Sequence, residues 1–403
     1  MAKEKRNYLS GKEIKAIAKA NAKEMKRLEA YKNRKAEESE FLSRMHNEEN
    51  ILEIEDLHTF FFTEQGVVKA VNGVSYDVPK NAVVGVVGES GCGKSVTSMS
   101  VMRLIQGPAG QIVEGSIRFK AYDYKRDENG QPIAKEGGKE GQFQMEEKIY
   151  DIAKMPIHEI HRIRGKQIAM IFQEPMTSLN PVFTIGEQLD EVTFVHTPGA
   201  TKEMAKAKSE DMLRLVGIIP ENVYNAFPHE LSGGMRQRVM IAMALAAEPR
   251  LIIADEPTTA LDVTIQAQIL DLLQDIKNKI DGSILLITHD LGVIAEMADY
   301  VVVMYAGKVI EKGTVYEIFQ DPRHPYTIGL QKSKPTMTLD DSTELYNIPG
   351  NVPNPINMPN HCYFKERCAK CTQKCSGEYP GMVQVSPTHF VACHLYGEEG
   401  HNG

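Results

Sequence analysis

The feature that most constrains the fold is a short apolar run that leads directly into a glycine-rich loop. Residues 81–87 are rich in valine, and residues 88–95 read Gly-Glu-Ser-Gly-Cys-Gly-Lys-Ser. An apolar run of this length is typical of a strand buried in a parallel sheet. The residues from Ser95 to Ile105 then follow a helical pattern. Because a strand, a glycine-rich loop and a helix in this order form a phosphate-binding site, the sequence predicts an α/β fold that carries one.

The residue types in this loop suit a nucleoside triphosphate that is bound together with Mg²⁺. Glycine residues let the backbone curve so that successive N–H groups point at phosphate oxygens. The ammonium group of Lys94 would reach the β- and γ-phosphates, and the hydroxyl group of Ser95 would be a ligand of Mg²⁺. The residues expected to contact ATP here are Gly88, Glu89, Ser90, Gly91, Cys92, Gly93, Lys94, Ser95 and Val96.

Two further apolar runs end in residues that could act on the phosphates. Residues 251–254 read Leu-Ile-Ile-Ala and are followed by Asp255 and Glu256. A carboxylate at the end of a strand suits Mg²⁺, and the adjacent one suits activation of the attacking water as a general base. The second apolar run leads through Thr288 to His289. His289 could hydrogen-bond the γ-phosphate, although a single histidine after a strand is more often structural.

A second glycine-containing loop sets the class of protein. Residues 231–237 read Leu-Ser-Gly-Gly-Met-Arg-Gln, and a Ser-Gly-Gly loop has no use inside the nucleotide site of its own chain. With the phosphate loop, Gln173, the paired carboxylates and His289, in this order, the chain resembles the nucleotide-binding subunit of an ATP-binding cassette transporter. The resemblance implies a P-loop cassette with a RecA-like α/β core, an antiparallel β subdomain and a helical subdomain.

The resemblance also implies roles for individual residues. Two subunits would sandwich two ATP molecules head to tail, so that this loop, through Ser232, Gly233, Gly234 and Gln237, serves the ATP of the partner. Asp262 would lie in the loop that couples the two sites. Gln173 would sense the γ-phosphate and contact Mg²⁺ together with Ser95 and Asp255, while Glu256 and His289 act in hydrolysis. Phe61 would stack on adenine, although the three consecutive phenylalanines 60–62 could equally pack in the core.

Three segments narrow the resemblance to the ATPases of oligopeptide and dipeptide importers. Residues 173–181, Gln-Glu-Pro-Met-Thr-Ser-Leu-Asn-Pro, are similar to a segment of those proteins, with Glu174 in place of their aspartate. Residues 324–327 and 389–394 match the opening and the close of their C-terminal extension. The resemblance covers about residues 51–396 and implies ATP-driven uptake of di- or oligopeptides, with nickel or sugar import as the alternative.

Such an ATPase has several expected partners. These are a second ATPase subunit, expected to be a paralogue in a heterodimer, two transmembrane permeases and an extracellular peptide-binding protein. No apolar run approaches the roughly 18 to 20 residues that cross a bilayer, and the charged N-terminus is not followed by a signal sequence. We therefore expect a peripheral protein on the cytoplasmic side of the cell membrane. The net charge of −8 gives no reason to expect a nucleic-acid partner.

Two other classes of function have weaker support. Soluble cassette ATPases of translation or DNA repair usually carry two cassettes or a long inserted coiled coil, and this chain has one cassette and neither feature. A regulator that does not hydrolyse ATP would not need the complete set of Lys94, Asp255, Glu256 and His289.

Changes in composition divide the chain. Residues 1–48 predict a cationic helical extension, and residues 1–35 hold 12 Lys or Arg against 4 Glu. This helix could be solvated or could lie on anionic lipid or on a partner. The cassette is expected over residues 49–318, with a hairpin turn at Asn72-Gly73. It contains a polar insertion at 121–150 and a helical subdomain at about 184–238. The C-terminal extension occupies residues 319–403.

Five of the six cysteines lie within residues 362–393, in the pattern C-x5-C-x2-C-x3-C-x17-C. In a cytosolic protein such a cluster indicates metal ligation before disulfides, and four thiolates can hold a [4Fe–4S] cluster or a tetrahedral zinc ion. In the resembling importers, cysteines at the positions of Cys362, Cys368, Cys375 and Cys393 bind [4Fe–4S]. We therefore expect an iron–sulfur cluster, with zinc as the alternative and Cys371 as a substitute ligand or a spare thiol.

Overall fold

The computed structural model describes residues 10–125, 127, 131, 133, 143–174, 178–197, 199–259, 262–280, 282–333 and 346–397. The helices are α1 (Gly11–Lys32), α2 (Lys94–Val101), α3 (Ile185–His196), α4 (Lys202–Leu215), α5 (Pro220–Val223), α6 (Gly233–Leu245), α7 (Val263–Ile280), α8 (Leu291–Met297), α9 (Val315–Gln320) and α10 (Pro325–Lys332). The strands are β1 (Asn50–Thr63), β2 (Gly66–Pro79), β3 (Val83–Val87), β4 (Gly110–Tyr124), β5 (Met145–Asp151), β6 (Ile168–Ile171), β7 (Leu251–Asp255), β8 (Ser283–Ile287), β9 (Tyr300–Tyr305), β10 (Lys308–Thr314), β11 (Val383–Gln384) and β12 (Phe390–Val391). Parts of the predicted segments lie outside the described residues: 1–9 in the N-terminal extension, 126, 128–130, 132 and 134–142 in the insertion, 175–177, 198, 260–261 and 281 in the cassette, and 334–345 and 398–403 in the C-terminal extension.

The larger sheet has the strand order β11-β12-β10-β9-β3-β8-β7-β6. Its strands from β9 to β6 are parallel, and β10 to β11 extend it in antiparallel fashion. Side chains of β3 alternate between two cores: Val83 and Val87 pack on one face, while Val84 and Val86 pack on the other. This two-residue period buries both faces, which is why the strand reads as a continuous apolar run.

The parallel strands bring the predicted motifs to one edge of this sheet. The phosphate loop follows β3, Gln173 follows β6, Glu256 follows β7 and His289 follows β8. The carboxyl ends of parallel strands meet at the same edge, where ligands bind in open α/β sheets. The strand order therefore joins sequence motifs that lie up to about 200 residues apart into one candidate site.

The smaller sheet is antiparallel, in the order β2-β1-β4-β5, and its first hairpin differs from the prediction. The chain turns between Thr63 and Gly66, which pair with each other at the end of the hairpin. The predicted turn at Asn72-Gly73 is wrong, because both residues lie inside β2. Gly73 takes a φ of +83° where the register shifts, so this glycine serves a β-bulge.

The N-terminal helix α1 has a partner within its own chain. A capping box formed by Ser10 and Glu13 begins the helix. The amide of Asn21 donates to the carbonyl of Thr63 at 2.8 Å, and Leu28 is buried. The helix thus packs against the antiparallel sheet at the tip of the β1–β2 hairpin, which neither sequence interpretation of this segment included.

The described part of the predicted insertion at 121–150 continues the antiparallel sheet. Strands β4 and β5 pair from Arg118 opposite Asp151 to Tyr124 opposite Met145. Tyr150 is fully buried and its hydroxyl donates to Asp123 at 3.1 Å. The ends of this segment are therefore part of the fold. Across the residues that the structure describes, no helix is both long enough and apolar enough to span a membrane.

Candidate functional site

The phosphate loop wraps closely against neighbouring backbone, which explains two of its glycines. Gly88 has a φ of +153°, and a Cβ atom added to it would lie 2.2 Å from the carbonyl oxygen of Met304. Gly93 has a φ of +103°, and its Cβ would lie 2.4 Å from the carbonyl oxygen of Ala70. Any other residue at either position would displace the backbone, so the loop conformation requires glycine.

The groups expected to bind phosphate and Mg²⁺ lie at the start of α2. Lys94 is 6% exposed, and its ammonium group donates to the carbonyls of Gly88 at 2.7 Å and Glu89 at 3.2 Å. The hydroxyl of Ser95 donates to Asp255 at 3.0 Å, which joins the helix to the end of β7. Burial raises the pKa of Asp255, and the hydrogen bond from Ser95 opposes that rise. Two adjacent oxygen donors of this kind fit Mg²⁺, which is usually bound by few protein ligands and several waters.

Glu256 is held by three side chains at the edge of the site. Its carboxylate accepts hydrogen bonds from Gln173 at 2.9 Å and from Thr259 at 2.9 Å, and the ring of His289 lies 3.4 Å from its other oxygen. The structure therefore brings together the three residues that the sequence assigned to catalysis. Thr259 was not predicted to take part, and its position three residues after Glu256 was the available signal.

The backbone of Glu256 is strained. It takes a φ of +47°, a left-handed conformation that non-glycine residues rarely adopt, while its N–H donates to the carbonyl of Ile287 at 2.8 Å. Such strain costs on the order of 1–3 kcal/mol and persists where the surroundings enforce it. Here it turns the carboxylate toward a cavity of about 460 Å³, which the phosphate loop, Gln173, Thr259 and His289 also line.

Phe61 does not line this cavity. It pairs with Val68 on one side and Gly110 on the other, and its ring covers Gly110, where an added Cβ would lie 2.8 Å from the ring. Phe60 and Phe62 point to the opposite face of β1 and line a different cavity. A role for Phe61 in stacking on adenine stays a prediction.

The Ser-Gly-Gly loop opens helix α6 and lies apart from Lys94. The hydroxyl of Ser232 caps the helix by accepting from the N–H of Met235 at 3.4 Å. An added Cβ on Gly233 would meet no atom within 4 Å, so this turn has open space in front of it. None of the loop's described residues lines the cavity around Lys94, which agrees with a role outside the chain's own site.

Two residues that the sequence assigned to the contact with a partner make hydrogen bonds within their own chain. Gln237 is buried, and its amide donates to the carbonyl of Pro257 at 2.6 Å. This contact ties α6 to the segment that carries Glu256, and a role for Gln237 toward the ATP of a partner stays a prediction. Asp262 is exposed and accepts from the N–H of Ile265 at 3.0 Å, which caps α7.

The cysteine-rich region does not form the predicted iron–sulfur site. Within the described residues, which include all six cysteines, no group of three or more His, Cys, Asp or Glu is arranged to hold a metal ion, and every cysteine is a free thiol. Burial raises the pKa of the Cys362 and Cys393 thiols to about 11. The prediction of a [4Fe–4S] cluster is therefore wrong, and the zinc alternative lacks a ligand set for the same reason. Cys362 and Cys368 instead pack against the apolar core.

The fold and the site together define an ATP-binding cassette. A dimeric structure of the cassette MJ0796 in a post-hydrolysis state, bound to ADP and Pi, covers 66% of this chain and 98% of its own, with a TM-score of 0.53 and 23% identity. The structure of cbiO1 from Clostridium perfringens covers 70% of this chain and 96% of its own, with a TM-score of 0.51 and 23% identity. At this level of identity, the likeness shows the fold alone.

Sequence comparison is more specific. Residues 71–259 match the model of the ABC transporter family, and residues 310–375 match that of the oligopeptide/dipeptide transporter C-terminal region. The oligopeptide transport ATP-binding protein OppD of Bacillus subtilis is 48% identical over 85% of this chain and 87% of its own. The dipeptide transport ATP-binding protein DppD of the same organism is 45% identical over 86% of this chain and 95% of its own. The chain belongs to the ABC transporter family, which confirms the resemblance found in its motifs.

Proposed function

We propose that this chain hydrolyses ATP to drive the import of di- and oligopeptides across a membrane. The observation that carries the proposal is the position of Glu256, which faces one cavity together with Lys94 and Ser95 and is held by Gln173 and Thr259. The relatives named for oligopeptide and dipeptide transport, which align over most of this chain, supply the class of cargo. They favour peptides over nickel or sugars.

The chemistry follows from the side chains around the cavity. Lys94 and the backbone N–H groups of its loop bind the β- and γ-phosphates, and Ser95 and Asp255 would hold Mg²⁺. When bound, this ion offsets the negative charge of the phosphates and so favours attack by water. Glu256 accepts the proton of that water, while the amide of Gln173 and the hydroxyl of Thr259 keep its carboxylate oriented. His289 lies beside the same carboxylate and can donate to the γ-phosphate.

We assign Ser232, Gly233 and Gly234 to the ATP of a second ATPase subunit, expected to be a paralogue. Two observations support this: the loop does not line the cavity around Lys94, and the turn at Gly233 has open space before it. The N-terminus of α6 is suited to a phosphate group because its free N–H groups point along the helix axis. Closure of two such subunits around two ATP molecules would couple hydrolysis to transport.

The remaining partners are two membrane permeases and an extracellular peptide-binding protein. The helical region exposes large apolar side chains, among them Phe183 at 48% and Val195 at 67%. Exposed apolar side chains often mark protein contact sites, and we assign these to the permeases. The chain would then be peripheral, on the cytoplasmic side of the membrane.

The test is uptake of labelled peptide by cells that carry the complete transporter, with the wild-type chain or with Lys94→Ala. The variant should abolish uptake, and unlabelled di- and oligopeptides should compete with the label in wild-type cells. If the variant takes up peptide at the wild-type rate, this chain does not power peptide import. If it loses uptake of nickel or of a sugar instead, the ATPase assignment stands and the cargo is wrong.

A further inference from the structure

An arginine of the C-terminal region, Arg367, is hydrogen-bonded to the phosphate loop through the side chain of Glu89. Arg367 ends the short 3₁₀ helix Lys365–Arg367. Its two terminal nitrogens donate to the two carboxylate oxygens of Glu89, at 2.8 and 3.0 Å. This is the bidentate arrangement that makes arginine–carboxylate pairs stronger than single contacts. The side chain of Arg367 is 6% exposed and that of Glu89 is 25% exposed, so water screens the pair only in part.

The guanidinium of Arg367 is oriented by further acceptors. Its Nε donates to the carbonyl of Pro349 at 2.9 Å, and its terminal nitrogens also reach the hydroxyl of Tyr305 at 3.3 Å and the carbonyl of Ile348 at 3.4 Å. All three nitrogens are thus engaged by groups of the surrounding fold. An arginine held in this way loses little freedom when it pairs, so the contact with Glu89 is preorganised.

A second residue of the same region holds the backbone of Glu89. The N–H of Glu89 donates to the hydroxyl of Tyr326 at 2.8 Å, so this N–H points away from the interior of the loop. Tyr326 is fully buried on α10, and its ring lies 4.8 Å from that of Tyr305 and 5.5 Å from that of Phe364. Three packed aromatic rings therefore fix the hydroxyl to which the loop is bound.

The charge of Glu89 explains why such a contact matters for a phosphate site. Glu89 follows the first glycine of the loop, and its carbonyl oxygen accepts from the ammonium of Lys94 at 3.2 Å. An unpaired carboxylate in this loop would repel the phosphates of ATP, because like charges at short range repel strongly where water is partly excluded. Arg367 neutralises the carboxylate and holds it on the side of the C-terminal region.

We propose that Arg367 and Tyr326 are positioning residues for ATP, through which the C-terminal region keeps Glu89 turned outward and the phosphate loop in its binding conformation. Neither residue lines the cavity around Lys94. The inference rests on the proposed binding of ATP by this loop. It gives the C-terminal region a role in nucleotide binding that does not depend on a metal site at its cysteines.

The test compares KM and kcat for ATP in the assembled transporter with the wild-type chain, Arg367→Ala, Glu89→Gln and the double variant. Arg367→Ala should raise the KM for ATP about tenfold, with a smaller change in kcat, because it leaves a partly buried charge unpaired beside the phosphates. Adding Glu89→Gln should bring KM back to within about threefold of wild type, because the repelling charge is gone. A purely structural role of Arg367 would not be rescued by a change in Glu89.

The matched control is Lys365→Ala on the same 3₁₀ helix, whose ammonium lies 3.8 Å from the exposed carboxylate of Glu366 and should leave KM unchanged. Lys94→Ala tests the underlying assignment: if it leaves ATP binding intact, the loop itself is not the ATP site. The positioning role of Arg367 is refuted if Lys94→Ala abolishes ATP binding but Arg367→Ala leaves KM at the wild-type value. It is also refuted if the KM of the double variant is as high as that of Arg367→Ala.

Tyr326→Phe provides a second arm that does not disturb the packed rings. It removes only the hydroxyl that accepts from Glu89, so KM for ATP should rise about threefold, as expected for the loss of one neutral hydrogen bond. This variant decides the question if Arg367→Ala does not fold. An unchanged KM in Tyr326→Phe would remove Tyr326 from the proposal, and if Arg367→Ala does not fold it would refute the hold of the C-terminal region on the loop.

Discussion

Replacing Glu256 by Gln tests the catalytic arrangement most directly, because the structure predicts that little else will change. Glutamine has nearly the same shape, can adopt the same φ of +47° at the same cost, and keeps an oxygen that can accept from Gln173 and Thr259. What it loses is the ability to take a proton from water. We therefore expect an effect on the chemical step and none on folding.

The expected magnitude follows from that single loss. A positioned general base typically contributes about 10²- to 10⁴-fold to a rate, so kcat for ATP should fall by at least about 100-fold, or roughly 2.7 kcal/mol. The KM for ATP should stay within about twofold, because Lys94, Ser95 and the loop backbone are untouched. The two-subunit complex should accumulate with ATP bound.

The assay is phosphate release by the assembled transporter, together with retention of labelled ATP after rapid gel filtration. Glu248→Gln is the matched control, since Glu248 also has a left-handed φ, of +55°, but is exposed and pairs with Lys208 at 3.2 Å. It should hydrolyse ATP at the wild-type rate. Undiminished turnover in Glu256→Gln would refute the role assigned to Glu256.

Three further outcomes are expected. Ser232→Trp should stop hydrolysis at the partner's site while ATP affinity at Lys94, measured by equilibrium binding to the isolated chain, stays within about twofold; a large loss of that affinity would mean that the loop serves its own subunit. Gly88→Ala should lower ATP affinity at least about tenfold, because its Cβ would lie 2.2 Å from a carbonyl oxygen and force the loop to move; binding at the wild-type level would show that the loop tolerates a side chain there. Burial lowers the pKa of His324 from 6.5 to about 4, and the negative charge of Glu311 opposes this change. The neutral His324 should therefore contribute its full share to the free energy of unfolding above pH 6.5, and up to about 3 kcal/mol of that free energy should be lost as the pH falls toward 4. His324→Asn should flatten that dependence in melting curves between pH 7 and pH 5, and an equally steep dependence in the variant would assign the acid sensitivity to other groups.

Much of the catalytic site could be predicted because its residues lie in short sequence motifs that can be recognised without knowledge of the rest of the fold. The phosphate loop has four constrained positions between an apolar run and a helix, and Asp255 and Glu256 end a run of four apolar residues. Such patterns reflect the local backbone conformation, a strand followed by a loop and a helix, so they can be interpreted without knowing which distant residues are in contact. The structure then brought Gln173, Glu256 and His289 together as expected.

Predictions that depended on partners across the fold were less secure. The Asn72-Gly73 pair has the composition of a hairpin turn, yet it forms a bulge, because β1 and β2 are 14 residues long and their pairing continues past it. The cysteines have the spacing of a metal site, yet the described residues hold no group of three or more side chains arranged for a metal ion, and Cys371 is exposed. Spacing along a chain does not ensure that side chains reach the geometry that a metal needs.

The sequence by itself determined the class of protein, the chemistry of the phosphate loop and the residues that could act on a bound phosphate. Only the tertiary structure decided which groups support them: Thr259 against Glu256, Gln237 against Pro257, and Arg367 against Glu89. The last pair is separated by 278 residues and belongs to no repeating pattern. Periodic burial sets strands and helices and can be read along the chain, whereas a single polar contact depends on which elements become neighbours, and that is settled only when the sheet is assembled.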